Sequence, residues 1–480
     1  MKIKTYLYCL AITALLLPHA GASTVEVDSN LQAAIDAAAP GDTLLVAPGV
    51  YDKIEIAKSL NLIGRGATIR ANERDACIRV KADRVNISGF LVRDGFYGIS
   101  LENVSQCNIS GNTVIRCTQP GIMLKYSQDN IIVHNNASFN GLGGEGWYGI
   151  YLTNSNDNLI EDNVASNNGA YGINLFPSCN NNSIKGNILE KNMYGLYMFT
   201  DCRGNLIESN VMSRNINSGL DMRYNCHQNL ILNNTISNNA VAGITLMEGS
   251  GKNTIRGNSI SSNQRYGIQI QSASDGNIII GNNISDSQTG LFLDSSNNLL
   301  YGNRLADNVV QAEDRGSNIW SEDYPVGGNM WSDYLGQDNM SGPEQDQPGS
   351  DRIGDVPYRI NEKAQDRYPL VGNQVRPIKI VEKSIDPQSI TIGSSVLIQV
   401  VLDSKYSLGQ VSVHAVGAEG VGAGGYVRML PMGQTYQGTL ITALMEPGKY
   451  DVVLDAKDAR GNELKESLGE IDINPRGAGI

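Results

Sequence analysis

Across residues 85–308 apolar and polar positions recur in one short phrase, repeated about ten times at a nearly constant step. Its clearest copies read Asn229-Leu-Ile-Leu-Asn-Asn-Thr-Ile-Ser-Asn-Asn239 followed by Gly243-Ile-Thr-Leu246, and Asn253-Thr-Ile-Arg-Gly-Asn-Ser-Ile-Ser-Ser-Asn263 followed by Gly267-Ile-Gln-Ile270. The copies begin at Val85, Cys107, Asn130, Asn158, Asn182, Asn205, Asn229, Asn253, Asn277 and Asn298, usually 22 to 24 residues apart. An apolar residue sits two places into each copy, an Asn usually five places in, and a Gly-apolar-x-apolar tetrad closes nine of them. Alternation over three or four positions, broken by Asn or Gly, predicts short strands joined by tight corners. Helical repeats need a longer apolar stripe and leucine-rich repeats a denser Leu frame. The expected fold is therefore a parallel β-helix with three short strands per turn, each turn burying its inward Ile, Leu and Val on its neighbours. Ten turns stacked ~4.8 Å apart give a rod roughly 45 to 50 Å long.

The Asn columns follow from the corners. Asn tolerates the left-handed conformation that sharp turns demand, and its amide can bond to the Asn above and below. The same columns create glycosylation triplets at Asn86, Asn103, Asn108, Asn136, Asn181, Asn233, Asn283 and Asn339. Side chains locked in a ladder are poorly available for modification, so most of these triplets are expected to be incidental.

The flanks differ from the repeats. Residues 1–22 carry Lys2 and Lys4, an apolar run and the small triplet Ala20-Gly21-Ala22, which predicts an export signal cleaved before Ser23. The apolar run is too short to span a bilayer, and Cys9 lacks lipoprotein flanks. Residues 30–39 predict a helix with Leu31, Ala34, Ile35 and Ala38 on one face, ended by Pro40-Gly41 and placed to cover the open end of the solenoid. Residues 327–375 are rich in Asp, Gly, Pro and Tyr and read as a closing segment. From 376 to 480 alternating runs such as Val396-Leu-Ile-Gln-Val-Val-Leu402 predict an immunoglobulin-like β-sandwich, which offers a surface to a protein partner. The repeats with their N-terminal cap occupy residues 23–326.

The opening phrase Asn30-Leu-Gln-Ala-Ala-Ile-Asp-Ala-Ala-Ala-Pro-Gly-Asp-Thr-Leu-Leu-Val-Ala-Pro-Gly-Val-Tyr51 and the repeats after it resemble the NosD-like right-handed β-helix proteins, also called CASH-type for carbohydrate binding and sugar hydrolysis. Gly328-Asn-Met-Trp-Ser-Asp-Tyr334, Asp351-Arg-Ile-Gly-Asp-Val-Pro-Tyr358 and Asp366-Arg-Tyr-Pro-Leu370 are similar to that family's closing motif, so the resemblance covers roughly residues 24–372. It implies a right-handed, pectin-lyase-like solenoid. Members named for NosD assist copper-centre assembly in nitrous oxide reductase, and many relatives are surface proteins, so the resemblance speaks to fold more than to task.

Stacking turns the strand after each closing Gly into outward columns. One runs Ser100, Met123, Tyr151, Asn174, Tyr197, Asp221, Thr245, Gln269, Phe292; a second includes Glu102, Lys125, Thr153, Phe176, Phe199, Arg223; a third holds Tyr97, Tyr148, Tyr171, Tyr194 and Tyr266. Tyr148, Tyr151, Tyr171, Phe176, Tyr194, Tyr197 and Phe199 fall on three consecutive turns, with Lys125 nearby and an insertion ending in Trp147 placed to overhang them. Aromatic rings beside charged groups suit a groove for sugars, although such rows also stabilise exposed sheets without binding anything. Asp201, Asp221, Arg223 and Glu248 are the candidates for polysaccharide cleavage, which needs an acid and a base flanking one bond. The chain lacks Asp-Asp, Gly-His-Gly and Asp-Pro-His-Asp signatures.

Cys179, Cys202 and Cys226 occupy one corner position on adjacent turns, and with His227 they are candidates for a soft metal such as copper, against the plainer role of filling a corner. Asp333, Asp338, Asp346, Asp351 and Asp355 are candidate calcium ligands, against the plainer role of solvated turn acids. Composition narrows the rest: 52 Gly, 18% charged residues and a net charge of −12 fit an exported solenoid and argue against nucleic acid. The expected function is binding of a polysaccharide or glycoprotein surface by a secreted or cell-surface protein (periplasmic in a Gram-negative host). A polysaccharide lyase or glycoside hydrolase and a copper-site accessory are the alternatives.

Overall fold

In the computed structural model the described residues are 21–72, 74–141, 148–371, 378–404, 408–417, 425–432, 435–443, 445–458 and 463–475. The expected export signal, apart from its last two residues, lies outside them, as does Trp147. The chain forms two compact units: Met1–Tyr334 with Pro357–Arg367, and Leu335–Val356 with Tyr368–Ile480. The segment expected to close the rod as one piece, 327–375, is thus shared between them.

The first unit is an all-β parallel solenoid of about 13 turns. One side is a 13-stranded sheet from Thr24–Val27 to Leu299–Tyr301, and a second is a 12-stranded sheet from Ile54–Ile56 to Val310–Asp314. The third side comes in two pieces of four and seven strands. Between those pieces only the isolated bridges Thr113 to Asn136, Asn136 to Val164 and Val164 to Ile188 continue it. Register is continuous: Ile87, Ile109, Ile132, Ile160, Ile184, Ile207, Ile231, Ile255, Ile279 and Leu300 pair in one column, every one fully buried. The rod is longer than the ten phrases predict. Thr24–Val27, Thr43–Val46 and Asn61–Gly64 join the same sheet without carrying the Asn phrase. The N-terminal helix Leu31–Ala37 starts at Asn30, whose side chain accepts from Ala33 N, and buries Leu31 and Ile35 in the solenoid core.

Asparagine ladders run along the corners. One passes from Asn130 through Asn158, Asn182, Asn205, Asn229, Asn253 and Asn277 to Asn298, another from Asn112 to Asn329, each Nδ2 donating to the next Oδ1 at 2.8–3.2 Å. The same oxygens also accept a backbone N–H from the turn before, as Asn210 Oδ1 does from Asn187 N at 2.9 Å. These side chains are therefore buried yet fully satisfied.

The ladder was expected; its left-handed residues are not the ones expected. Asp157, Asn181, Gln228 and Lys252 hold φ of 56–60°, and each is followed by a ladder Asn that does not. The left-handed residue reverses the chain, and the next side chain then points inward, where only an amide meets donors and acceptors on both sides. The glycosylation triplets need a second correction. None of the eight asparagines belongs to these ladders, and Asn103, Asn136, Asn181, Asn283 and Asn339 are exposed.

At its C-terminal end the solenoid closes on a buried carboxylate. Asp366 accepts from Asn329 N at 2.6 Å and Trp331 Nε1 at 2.9 Å, and Trp331 stacks on Tyr358 with ring centroids 4.0 Å apart. A Cβ at Gly328 would lie 1.8 Å from Asp366 Oδ1, so only glycine fits there. In the second unit a sheet of four strands and a sheet of five enclose a core that includes Val396, Ile398, Val413, Tyr450, Val452 and Ile471. Pairing is antiparallel except where Ser389–Thr391 runs parallel to Glu463–Asn474.

Candidate ligand-binding face

The 12-stranded sheet carries the predicted columns. Ser100, Met123, Tyr151, Asn174, Tyr197, Asp221, Thr245, Gln269 and Phe292 are successive register partners, and Tyr148, Tyr171 and Tyr194 form the neighbouring column. Their rings stack. Tyr148 and Tyr171 lie 5.3 Å apart at 11°, Tyr171 and Tyr194 5.6 Å apart at 17°, Tyr171 and Tyr197 4.8 Å apart at 27°. Near-parallel rings one turn apart must face each other along the solenoid axis, so their edges and hydroxyls meet solvent. Tyr151 OH donates to Phe176 O at 3.1 Å. Among the described residues the hydroxyls of Tyr148, Tyr171, Tyr194 and Tyr197 make no hydrogen bond. Burial pushes all five phenols up, Tyr171 to about 12.

A second aromatic row behaves differently. Phe176 meets Phe199 at 5.1 Å and 65°, and Phe199 meets Tyr224 at 4.7 Å and 68°. An edge-to-face contact covers at most one face of one ring; Phe199 also stacks on Tyr197 at 5.7 Å and 22°, whereas Phe176 and Tyr224 are 37% and 44% exposed. Sequence reading missed Tyr224, because it sits at a corner with φ of 54° and outside strand alternation.

The charged candidates are mostly engaged. Buried Asp221 receives Arg223 Nε at 2.7 Å and a terminal Arg223 nitrogen at 3.0 Å. Burial raises its carboxyl, against the opposing pull of Arg223, and Glu248 adds to the rise. Asp201 sits on a corner and pairs with Arg203 at 2.7 Å. Glu248 is also at a corner, with Oε2 buried and unpaired. The four candidates for cleavage are thus on neighbouring turns, with Asp201 and Asp221 each held by its own arginine. Lys125 is exposed and lies 5.8 Å from the Tyr126 ring.

The aspartates of the closing segment serve backbone turns. Asp355 accepts from Asn339 N and Met340 N, Asp338 from Asp351 N, Arg352 N and Ser350 Oγ, and Asp351 from Gly342 N and Ile353 N. Asp333, in the other unit, accepts from Tyr358 OH at 3.1 Å. The oxygens of Asp338, Asp351 and Asp355 thus cap N–H groups, while Asp333 and Asp346 are exposed.

Cys179, Cys202 and Cys226 are buried and free, stacked as expected. The column did not start with them. Ser127 and Ser155 occupy the same corner position before them, and Ser250 and Ser274 after them. Ser127 and Ser155 Oγ donate to the carbonyl two residues back, at 2.9 Å in both, as the thiols of Cys179 and Cys202 do at 3.4 and 3.7 Å. Cys226 N donates to Ser250 Oγ. Hydrogen bonds from its two neighbours lower the Cys202 thiol, while burial raises Cys179 and the bond to Cys202 raises Cys226.

Comparison with known proteins gives three findings. The family model described as "Periplasmic copper-binding protein (NosD)" matches residues 35–221 and 198–336. A cell surface glycoprotein of Methanothermus fervidus is 34% identical over 125 residues, 24% of this chain; the chain spans about a fifth of that relative, 21% of its length. Among solved structures, the A-module of the Azotobacter vinelandii mannuronan C-5 epimerase AlgE6 is similar at 18% identity and a TM-score of 0.46, over 57% of this chain and 93% of that one. The catalytic domain of a GH87 alpha-1,3-glucanase is similar at 13% identity and a TM-score of 0.45, over 64% and 67%.

The family description names copper, and the donors do not fit it. Among the described residues no three His, Cys, Asp or Glu side chains are grouped to hold a metal. The thiols face the core and bond to carbonyls, while His227 lines an outer cavity.

Proposed function

The chain belongs to the NosD family, and from that premise we propose that it is an exported, surface-located member that binds glycans or another cell-surface polymer on its aromatic outer face. The observation that carries this reading is the gathering of Tyr148, Tyr151, Tyr171, Tyr194, Tyr197, Phe176 and Phe199 on consecutive turns, half-buried, with a row of unpaired hydroxyls at the edge. A polyhydroxylated ligand matches such an edge, since each phenol both donates and accepts. The name of the Methanothermus relative and the leader-like residues 1–22 support a surface location. No helix among the described residues is long and apolar enough to cross a membrane.

In this reading the helix Leu31–Ala37 covers the start of a right-handed rod extending over residues 23–326, and Asn329, Trp331 and Asp366 close its far end. Residues 376–480 form an immunoglobulin-like module that presents a protein-binding surface. The test is retention of the purified full chain on cell-surface polysaccharide preparations. Replacing Tyr171, Tyr197 and Phe199 together by Ala should abolish retention while thermal unfolding stays cooperative. Undiminished retention would refute the aromatic face, and new reducing or unsaturated ends would replace binding by cleavage.

A further inference from the structure

Beside the edge-to-face aromatic row the solenoid corner opens into two adjoining cavities of ≈ 430 and ≈ 400 Å³, which share Arg203 and Gln228 and so form one furrow. It crosses five consecutive turns, from Asn180 and Asn181 to Asp275, a length of roughly 20 Å at ~4.8 Å per turn. Glycine makes the room. Gly204 and Gly249 hold φ of 66° and 81°, and a Cβ on Gly251 would lie 2.1 Å from the Asp275 carbonyl oxygen. Phe176 stands two residues before the furrow residue Ser178 and Tyr224 three before His227, so both exposed rings lie on the sheet side of the furrow without lining it.

Charge within the furrow is unevenly committed. Asp201 is paired with Arg203, and Asp275 Oδ1 accepts from Ser296 N at 2.8 Å. Among the described residues the side chains of His227, Gln228 and Lys252 make no hydrogen bond or ion pair. Arg203 uses one terminal nitrogen on Asp201 and keeps other N–H donors free. The side chains left without partners are an imidazole and an amide on one turn, His227 and Gln228, and the ammonium of Lys252 on the next.

We propose that this furrow is where the polymer lies and that the polymer is an acidic polysaccharide: its sugar faces rest on Phe176 and Tyr224, its carboxylates meet Lys252, His227 and Arg203, and its hydroxyls meet Asn180 and Gln228. The proposal rests on the polymer-binding reading and narrows it in place and in charge. The face-stacked tyrosines then border the site and offer it their hydroxyl edge, since a ring stacked between two others, as Tyr171 is, offers no face to a sugar.

Affinity electrophoresis of the full chain through gels containing polygalacturonate or a neutral β-glucan tests it. Polygalacturonate should retard the protein, the effect should weaken with added salt, and the neutral glucan should retard it at least tenfold less. Lys252→Glu should weaken the polygalacturonate interaction at least tenfold. Lys185→Glu, which makes the same charge change on another sheet, should not. Phe176→Ala with Tyr224→Ala should lower retention in both gels without lowering the unfolding temperature by more than a few degrees. Polygalacturonate binding unchanged by Lys252→Glu overturns the furrow. If the Tyr171, Tyr197 and Phe199 variant alone abolishes it, polymer binding stands and only the furrow falls. Equal binding of the neutral glucan overturns the acidic ligand. Retention by neither polymer, nor by crude surface polysaccharide, overturns the underlying reading as well.

Discussion

The same repeated register builds two kinds of ladder in this solenoid, asparagine ladders that run along most of its length and a tyrosine ladder confined to three consecutive turns. In the asparagine ladders each amide is buried and every donor and acceptor is met by the turn above, the turn below or the backbone. In the tyrosine ladder the ring faces satisfy one another, but the hydroxyls project to an edge where Tyr148, Tyr171, Tyr194 and Tyr197 have no partner among the described residues. Register alone therefore does not mark function. What separates a structural column from a candidate binding one is whether any polar group is left over once the turns have stacked.

The comparison breaks most easily at an asparagine. Asn210→Ala removes the acceptor of Asn187 N and Nδ2 and the donor to Ile184 O, Glu208 O and Asn234 Oδ1. Each buried group left unmet costs roughly 1–3 kcal/mol, so the loss should be at least about 3 kcal/mol. A fall in the urea midpoint with little change in slope would show it. A loss under about 1 kcal/mol would mean that water replaces the amide and that the ladder is less sealed than it looks.

Tyr171→Ala should cost less. It deletes stacking with Tyr148, Tyr194 and Tyr197, about 0.5–1.5 kcal/mol for each pair and less than their sum because the neighbours close up. Tyr171→Phe keeps the rings and removes only an unpartnered hydroxyl, so its stability should stay within about 0.5 kcal/mol of the parent. The two together separate what the ring does for the fold from what the hydroxyl offers a ligand.

Alkaline titration sharpens the same contrast, since asparagine does not ionise and the tyrosines do. Burial raises Tyr171 from 10.0 to about 12 and raises Tyr148, Tyr151, Tyr194 and Tyr197 as well. A phenol that holds its proton more tightly folded than unfolded adds stability that is complete below pH 10 and is lost as pH climbs toward 12. The tyrosinate absorbance of this cluster should therefore appear late, and the urea midpoint should fall across that interval. Tyrosinate appearing in full near pH 10 would contradict the burial.

Much of the solenoid was legible because its strongest signal, an isoleucine every 22 to 24 residues, is also its core. The N-terminal turns were legible too, as alternating strands around Leu44 and Leu62, although the Asn phrase that marks the later turns is absent there. The aromatic columns were readable from spacing, whereas ring orientation was not. Alternation says which side of a strand a tyrosine leaves from, and only packing decides whether it lies flat or stands on edge. The furrow was out of reach for a related reason. Arg203, Gln228 and Lys252 sit on corners, where the left-handed residue breaks the two-residue alternation and neighbours diverge.

The smallest expected effect tests the column that looked most like chemistry. Cys179, Cys202 and Cys226 invite a metal when seen as three thiols, but they continue Ser127 and Ser155 and hand over to Ser250 and Ser274. The Ser127 and Ser155 hydroxyls bond to the carbonyl two residues back, and Cys202 makes the same bond at 3.7 Å. Cys202→Ser therefore swaps one small buried donor for another at a site whose neighbours already accept the hydroxyl. The larger sulfur's packing is lost and a better hydrogen bond is gained, so stability should move by less than about 1 kcal/mol. Copper added to the parent and the variant should change the unfolding temperature of neither, because a ligand that binds only the folded chain raises that temperature. A rise of several degrees in the parent that Cys202→Ser removes would make the thiols ligands after all, and the cysteine column would then join the tyrosines as one with something left over.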